Sequence, residues 1–383
     1  MADAPWKDAH EFEFRYPNEE GPTSFSFLVR DGLVSKSEVR PAERALLAAV
    51  ENPGPDVLVL EANYGAVGTV LARTVPGSRV TATESSARAV ACCRHNADRN
   101  GATNVEVRLV PWAPESDDQY DSLLFALKPY SPTAVNRERL ARGLSVTAAG
   151  GDCYLAVPDD SATGTVVETL RDACDGVRRV QTNEDCTVYH GTRCEAFTHS
   201  GAVPEHEFRA TVDGFTCRFL TIPGLFSWEE LDQGTELLVK HVSVPEGARV
   251  LDLACGYGAV GAFVGARTDC DLYATDDDIL ATTYAQRNYE RNGVTPVSVS
   301  TADCLDAVAD ESFDVVTLNP PTHAGKGVTR KMFETTRDVL ENGALYVVYN
   351  RIMNYDRVLQ SAYGFDVEVL ASVENFDVAV ARQ

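Results

Sequence analysis

"VLDLACGYGAVG", residues 250–261, runs from an apolar, β-rich stretch through closely spaced glycines into a helix-forming one. A strand ending in Asp252, glycines at 256, 258 and 261, then a helix is the opening of a βαβ unit. Its glycines let backbone approach a ligand, and the helix N-terminus offers unpaired N–H groups. Residues 57–68, "VLVLEANYGAVG", repeat the stretch with Val59 in place of Asp252 and Asn63 in place of Gly256.

The repeat extends downstream at an offset of 193, less one residue of slippage. "VTATE" (80–84) meets "LYATD" (272–276), "HNADRNGAT" (95–103) meets "RNYERNGVT" (287–295), and "YDSLLFALKPY" (120–130) meets "FDVVTLNPPTH" (313–323). Four matches in order point to an internal duplication. In each half, strands alternate with helices, which predicts a doubly wound, mostly parallel sheet. The final "FDVEVLASVENFDVAVAR" predicts two strands joined by a short turn, one of them antiparallel. "SGAVPEHE" (200–207) is the expected linker, dividing the chain into domains 1–203 and 204–383. Ahead of the second core, 208–224 predict two short strands and 226–241 a loop into a helix.

A chain of 383 residues has room for two such cores. No apolar run is long enough for a membrane span, and the acidic start "MADAPWKDAHEFEF" lacks a signal-peptide core, so a cytoplasmic protein is expected. The ten cysteines are scattered, which fits reduced thiols. Cys186, His190, Cys194 and His199 lie close in sequence, but "CTVYHGTRCEAF" reads as strand–turn–strand without a paired-cysteine knuckle, so no metal is expected. The formal charge is −23 with only six lysines, and the acidic residues sit inside folded-looking segments. That balance suits a salt-adapted, halophilic cytosol, where screening lengths shrink to about 3 Å at 1 M salt. In dilute salt it disfavours contact with a phosphate backbone.

Taken literally, Gly256-x-Gly258-x-x-Gly261, with Asp276 at the end of the next strand, also fits a dinucleotide site, so a nicotinamide oxidoreductase competes. "NPPTH" (319–323) separates the readings. It follows the buried strand "FDVVTL" at the carboxyl edge of the sheet, where such folds bind ligands. Two prolines stiffen the chain, and an amide oxygen beside a backbone carbonyl can accept both hydrogens of a planar amine. Transfer of a methyl group to nitrogen needs that device; hydride transfer does not.

At these residues the chain resembles the class I S-adenosylmethionine-dependent amino-methyltransferases. "VLDLACGYG" is similar to their first motif and "NPPT" to their Asn-Pro-Pro-aromatic motif. The spacing "FS...LD.G..LL" ahead of the cofactor loop resembles the RsmC/RlmG family of ribosomal RNA guanine-N2 methyltransferases, which are tandem enzymes with a degenerate first domain. The resemblance implies two Rossmann-like methyltransferase domains. It implies S-adenosyl-L-methionine held by Asp252, Ala254, Gly256, Gly258, Asp276 (ribose) and Asp303 (adenine amine). It also implies a target amine gripped by Asn319 and Pro320, with Pro321 stiffening the turn, and ribosomal RNA or a ribosomal subunit as partner.

One residue departs from the pattern: Thr322 stands where the family places an aromatic ring against the target base. Phe226 and His323 are the expected substitutes, and Arg330 and Lys331 could meet phosphates. Another amine, on a protein glutamine, DNA adenine or small molecule, is the alternative substrate; a non-catalytic ribosome-binding module is a further one. In the first half, "FALK" (125–128) replaces "LNPP", so Ala126 answers to Asn319, while Glu84 keeps an acid opposite Asp276. A domain that folds like its partner and binds no cofactor is expected there.

Overall fold

Two strands that end in glycine loops, 57–60 and 250–253, sit at the centres of two separate sheets. A computed structural model describes residues 9–17, 21–115, 119–158, 164–183, 185–199 and 201–383. The chain divides into two compact units, Met1–Pro204 and Glu205–Gln383, called here the first and second lobes.

The first lobe opens with a hairpin, β1 (His10–Tyr16) and β2 (Thr23–Val29), followed by α1 (Pro41–Ala49). Then come β3 (Asp56–Leu60), α2 (Ala66–Thr74), β4 (Arg79–Glu84), α3 (Ala87–Arg99), β5 (Val105–Leu109) and β6 (Tyr120–Ala126). It closes with α4 (Thr133–Ser145), β7 (Thr147–Pro158), α5 (Gly164–Ala173), β8 (Cys174–Thr182) and β9 (Cys186–Arg193). The second lobe repeats this order: hairpin β10 (His206–Val212) and β11 (Phe215–Thr221), then α6 (Gln233–His241), β12 (Arg249–Leu253) and α7 (Ala259–Arg267). After these come β13 (Asp271–Asp276), α8 (Ile279–Arg291), β14 (Ser298–Thr301), β15 (Phe313–Leu318), α9 (Lys326–Val339) and β16 (Leu340–Asn350). The last elements are α10 (Tyr355–Tyr363), β17 (Asp366–Val373) and β18 (Phe376–Arg382).

Among the described residues each sheet has seven strands in the same order, β5-β4-β3-β6-β7-β9-β8 and β14-β13-β12-β15-β16-β18-β17. Strands pair in parallel except at β9 and β18, which run antiparallel to both neighbours. Order reverses between β3 and β6, and between β12 and β15. A crevice opens at the carboxyl ends of such strand pairs. Register makes the lobes comparable residue by residue: Leu253 pairs with Leu318 as Leu60 pairs with Phe125. Ala126 and Leu127 therefore stand where Asn319 and Pro320 do.

The duplication reaches further than the glycine loops. Asn288 on α8 donates to Leu220 O and Tyr257 O and accepts from Leu220 N; Asn96 on α3 does the same with Leu28 and Tyr64. Asn292 and Asn100, one turn later, bind the backbone of Arg218 and Ser26. The "N…N" repeat thus clips each hairpin to its helix, offering side-chain amides where a neighbouring strand would offer peptides. Tyr64 and Tyr257 are buried beneath the hairpins, edge-on to Phe12 and Phe208 at 5.9 Å in both lobes. The shared tyrosine of "YGAVG" is a packing residue.

Residues 186–197 do not form the expected strand–turn–strand. β9 runs unbroken through Gly191, whose missing side chain leaves room for Cys174 and Val177 on β8. The glycine marks close approach within the sheet, not a bend.

Candidate active site

At the carboxyl end of β12 the backbone turns sharply. Ala254, Gly256 and Gly258 all have positive φ, at 57°, 55° and 85°. Only Gly256 faces open space: a Cβ there would meet nothing within 4 Å. At Gly258 and Gly261 it would strike the Tyr289 ring at 2.9 Å. The three glycines therefore do different work. Gly258 and Gly261 admit α8 against the loop, and Gly256 leaves the loop bare towards the crevice.

Asp252 is 2% exposed beneath this loop. Its carboxyl accepts from Gly261 N (2.9 Å), Thr317 Oγ1 (3.0 Å) and Tyr289 Oη (3.5 Å). Burial pushes it up to about 6, against those hydrogen bonds. It acts through the loop, pinning the first turn of α7 to the strand. Asp276, at the end of β13, accepts from Gly256 N (2.9 Å) and Asp278 N (3.0 Å), and burial raises its carboxyl as well. It ties the bare segment of the loop to the next strand.

Asp303 is buried in the turn after β14, with Lys331 Nζ 3.2 Å from its Oδ2. Lys331 also donates to Asp303 O (3.3 Å) and pairs with Asp306 (2.8 Å). Lys331, whose alternatives in sequence were a phosphate contact and a solvated helix face, braces the turn that carries Asp303. Arg330 beside it is exposed.

Asn319 and the buried Pro320 follow β15 directly, one strand over from the glycine loop. Asn319 Nδ2 donates to Thr235 Oγ1 (3.0 Å) and Asp232 Oδ2 (3.3 Å), both at the start of α6. Pro321 leads into a single helical turn, Thr322–Ala324, in which Thr322 is exposed. The side chain of His323 lies outside the described residues. Phe226 is 55% exposed in the loop before α6. Asp252, Gly256, Asp276, Asn319 and Pro320 thus converge at the switch point between β12 and β15. Asp303 approaches along the β14 side, and Phe226 stands on the entering loop. Asp232, Thr235, Thr317 and Tyr289 join the site without having been singled out from sequence; the "LD.G" spacing contains the first, and Thr235 follows it directly.

The corresponding place in the first lobe is filled by its own side chains. Asn63, with φ 59°, keeps the left-handed turn of Gly256, but its amide binds the backbone of Val34. Glu84, fully buried, still accepts a loop N–H, from Asn63. It also holds Lys128 Nζ at 2.6 Å, and Lys128 in turn holds Glu61 at 3.0 Å. Arg139 closes the cluster on Glu61 at 3.1 Å. Burial pushes Glu84 up to about 7. Glu61, against the same effect of burial, is held below the usual carboxylate range by Arg139 and Lys128. Glu61 and Lys128 occupy the positions of Ala254 and Pro321. Arg40, at the N-cap of α1, donates to Leu127 O (3.0 Å) and Ala126 O (3.4 Å). His190 pairs with Asp152 at 2.7 Å and His199 with Glu138 at 3.2 Å, each apart from this cluster.

Comparison with known proteins agrees with this geometry. The methyltransferase small domain model matches residues 24–126 and 216–380. A ribosomal RNA large subunit methyltransferase G from Pseudomonas putida is 27% identical over 355 residues, 89% of this chain and 92% of that protein. A ribosomal RNA small subunit methyltransferase C from Marinomonas sp. is 26% identical over 270 residues, 66% of this chain and 74% of that one. The solved structure of a T. thermophilus 16S rRNA methyltransferase, RsmC, in complex with AdoMet and guanosine superposes with a TM-score of 0.79. That match covers 97% of this chain and 98% of the other at 22% identity, and establishes the fold. With both lobes matched by one family model, and each built as a Rossmann-like sheet of that kind, the chain belongs to the methyltransferase small domain family.

Proposed function

We propose that the second lobe methylates the exocyclic 2-amino group of a guanine in ribosomal RNA, with S-adenosylmethionine as donor. The observation that carries this reading is the acceptor pair after β15: the Asn319 side chain and the Pro320 carbonyl, beside a loop left bare at Gly256. The first lobe supports it from within. There the carbonyl of Leu127, counterpart of Pro320, accepts an N–H from the planar guanidinium of Arg40, so this crook of backbone is a seat for a planar nitrogen group.

Bound S-adenosylmethionine would supply an electrophilic methyl group, its carbon–sulfur bond breaking to leave the thioether S-adenosylhomocysteine. Gly256 fits it, since a side chain there would fill the open space. Asp276, Asp303 and Ala254 are the groups that would line it. Asn319 Oδ1 and Pro320 O would accept the two amine hydrogens and direct the nitrogen lone pair at the methyl carbon. The proton then leaves to water, and the protein contributes alignment. A nucleotide must leave its stack to enter such a pocket. Thr322 supplies no ring, and Phe226, exposed in the loop before α6, would serve in its stead; base stacking on a ring is worth roughly 1–3 kcal/mol.

The relatives named above, ribosomal RNA methyltransferases of both subunits, support ribosomal RNA as substrate. Among the described residues no helix is long and apolar enough to cross a membrane. A ribosomal RNA substrate puts the enzyme in the cytoplasm. The charge of −23 fits a salt-rich one. Nucleoside mass spectrometry of rRNA from a strain lacking the gene tests the assignment. Loss of one N2-methylguanosine, restored by the wild-type gene but not by Asn319→Ala, is expected. An unchanged rRNA profile overturns it and turns attention to the other amines.

A further inference from the structure

We infer that Asp232 and Thr235 are positioning residues that lock the Asn319 side-chain amide with its oxygen turned towards the methyl acceptor. This rests on the amine-methylation reading above. The donor and acceptor inventory fixes the direction. Asp232 Oδ2 can only accept, and it receives Thr235 N at 2.8 Å, Thr235 Oγ1 at 3.2 Å and Asn319 Nδ2 at 3.3 Å. Thr235 has one hydroxyl hydrogen, and it is spent on Asp232. Towards Asn319 its Oγ1, 3.0 Å away, must therefore accept. Both neighbours on α6 demand a donor, so the amide nitrogen faces them and the amide oxygen faces away. Flipped, the amide would set its oxygen against a carboxylate oxygen.

The local sequence is built for this. Asp232 is the N-cap of α6, which fixes its carboxylate over the first turn. Gly234 leaves it room: a Cβ at 234 would lie 3.0 Å from Asp232 Oδ2. The spacing "LD.GT" thus reads as cap, clearance and relay. In the first lobe the same N-cap position holds Arg40, whose guanidinium sits on the Ala126 and Leu127 carbonyls. An acid at the cap orients an amide; a base at the cap fills the seat.

The full-length chain, with asparagine labelled selectively with 15N, provides the test. Asn319 side-chain amide protons should exchange slowly with water in the wild type and in Thr235→Ser. They should lose protection in Asp232→Ala and Thr235→Val. In parallel, methyl transfer from tritiated S-adenosylmethionine to rRNA from the gene-deleted strain should fall on the order of 10²-fold in kcat for those two variants. Thr235→Ser should restore it, and the dissociation constant for S-adenosylmethionine should not move. Unchanged amide protection, or unchanged kcat despite lost protection, overturns the lock. Weakened S-adenosylmethionine binding with kcat intact overturns it too, by making Asp232 a cofactor ligand. A wild type that methylates no rRNA, with amide protection still lost in the variants, removes the substrate reading alone.

Discussion

The two lobes share a backbone and divide on a handful of side chains. Both carry the left-handed turn after the first core strand, the acid that accepts a loop N–H, the asparagine clips and the buried tyrosine. In the second lobe the space beside that turn is left open at Gly256. In the first, Asn63 closes over the turn, and Glu61, Glu84, Lys128 and Arg139 neutralise one another. Where the second lobe leaves open space, the first holds a buried ion-pair cluster on the same strand order. The comparison teaches that the fold and the open crevice depend on different residues of the same loop: the fold on the packing at Gly258 and Gly261, the crevice on what Gly256 leaves empty.

The largest effect is expected from breaking the cluster. Lys128→Met strands Glu61 and Glu84 in the interior, and should destabilise the first lobe by roughly 3–5 kcal/mol, read as an earlier urea transition. The same change should not create a second S-adenosylmethionine site. Next comes Asn319→Ala, which makes the second lobe resemble the first at Ala126. It should lower kcat by at least about 10²-fold, some 2.7 kcal/mol, while titration calorimetry shows cofactor affinity retained. Gly256→Asn imports Asn63. Asparagine tolerates the left-handed turn better than most residues and its Cβ meets nothing within 4 Å, so the melting temperature should fall only slightly, but S-adenosylmethionine affinity should drop about tenfold or more.

The smallest effect concerns pH. Asp252 is pushed up to about 6 from an unfolded value of 3.8, so the folded lobe holds its proton more tightly than the unfolded chain. Its contribution to stability is therefore greatest below pH 4 and falls as pH rises through 6, by about 1 kcal/mol between pH 5 and 6. Wild type minus Asp252→Asn, followed in urea melts across that range, should show this slope. A flat difference would mean the carboxyl is ionised throughout.

Most of the architecture was legible because it rests on period and punctuation: the strand runs, the glycine turns and the repeat spacing all survive in one dimension. Two readings were not. Gly191 looked like a turn because sequence alone does not separate a bend from a place where neighbouring side chains crowd in. The hairpins escaped the repeat because the spacing slips there: the shared His-Glu-Phe lies at 10–12 and 206–208, an offset of 196 rather than 193, with Phe12 and Phe208 in equal places against the buried tyrosines. At the site, Asn319, Pro320, Gly256, Asp276 and Asp303 carried their own signals. Asp232 and Thr235 did not, since each acts on another side chain brought close only by the fold; Lys331 stood out for its charge but not for its hold on Asp303. Arg40 was equally silent: nothing in "VRPAER" says that its guanidinium ends on carbonyls 86 and 87 residues away.

One crystallographic experiment reaches the centre of this account: the full chain soaked with S-adenosylhomocysteine. Density should appear once per chain, beside Gly256 and Asp276 in the second lobe, with Lys128 still seated on Glu84 in the first. Ligand density between Glu61 and Glu84, or none at Gly256, would contradict it.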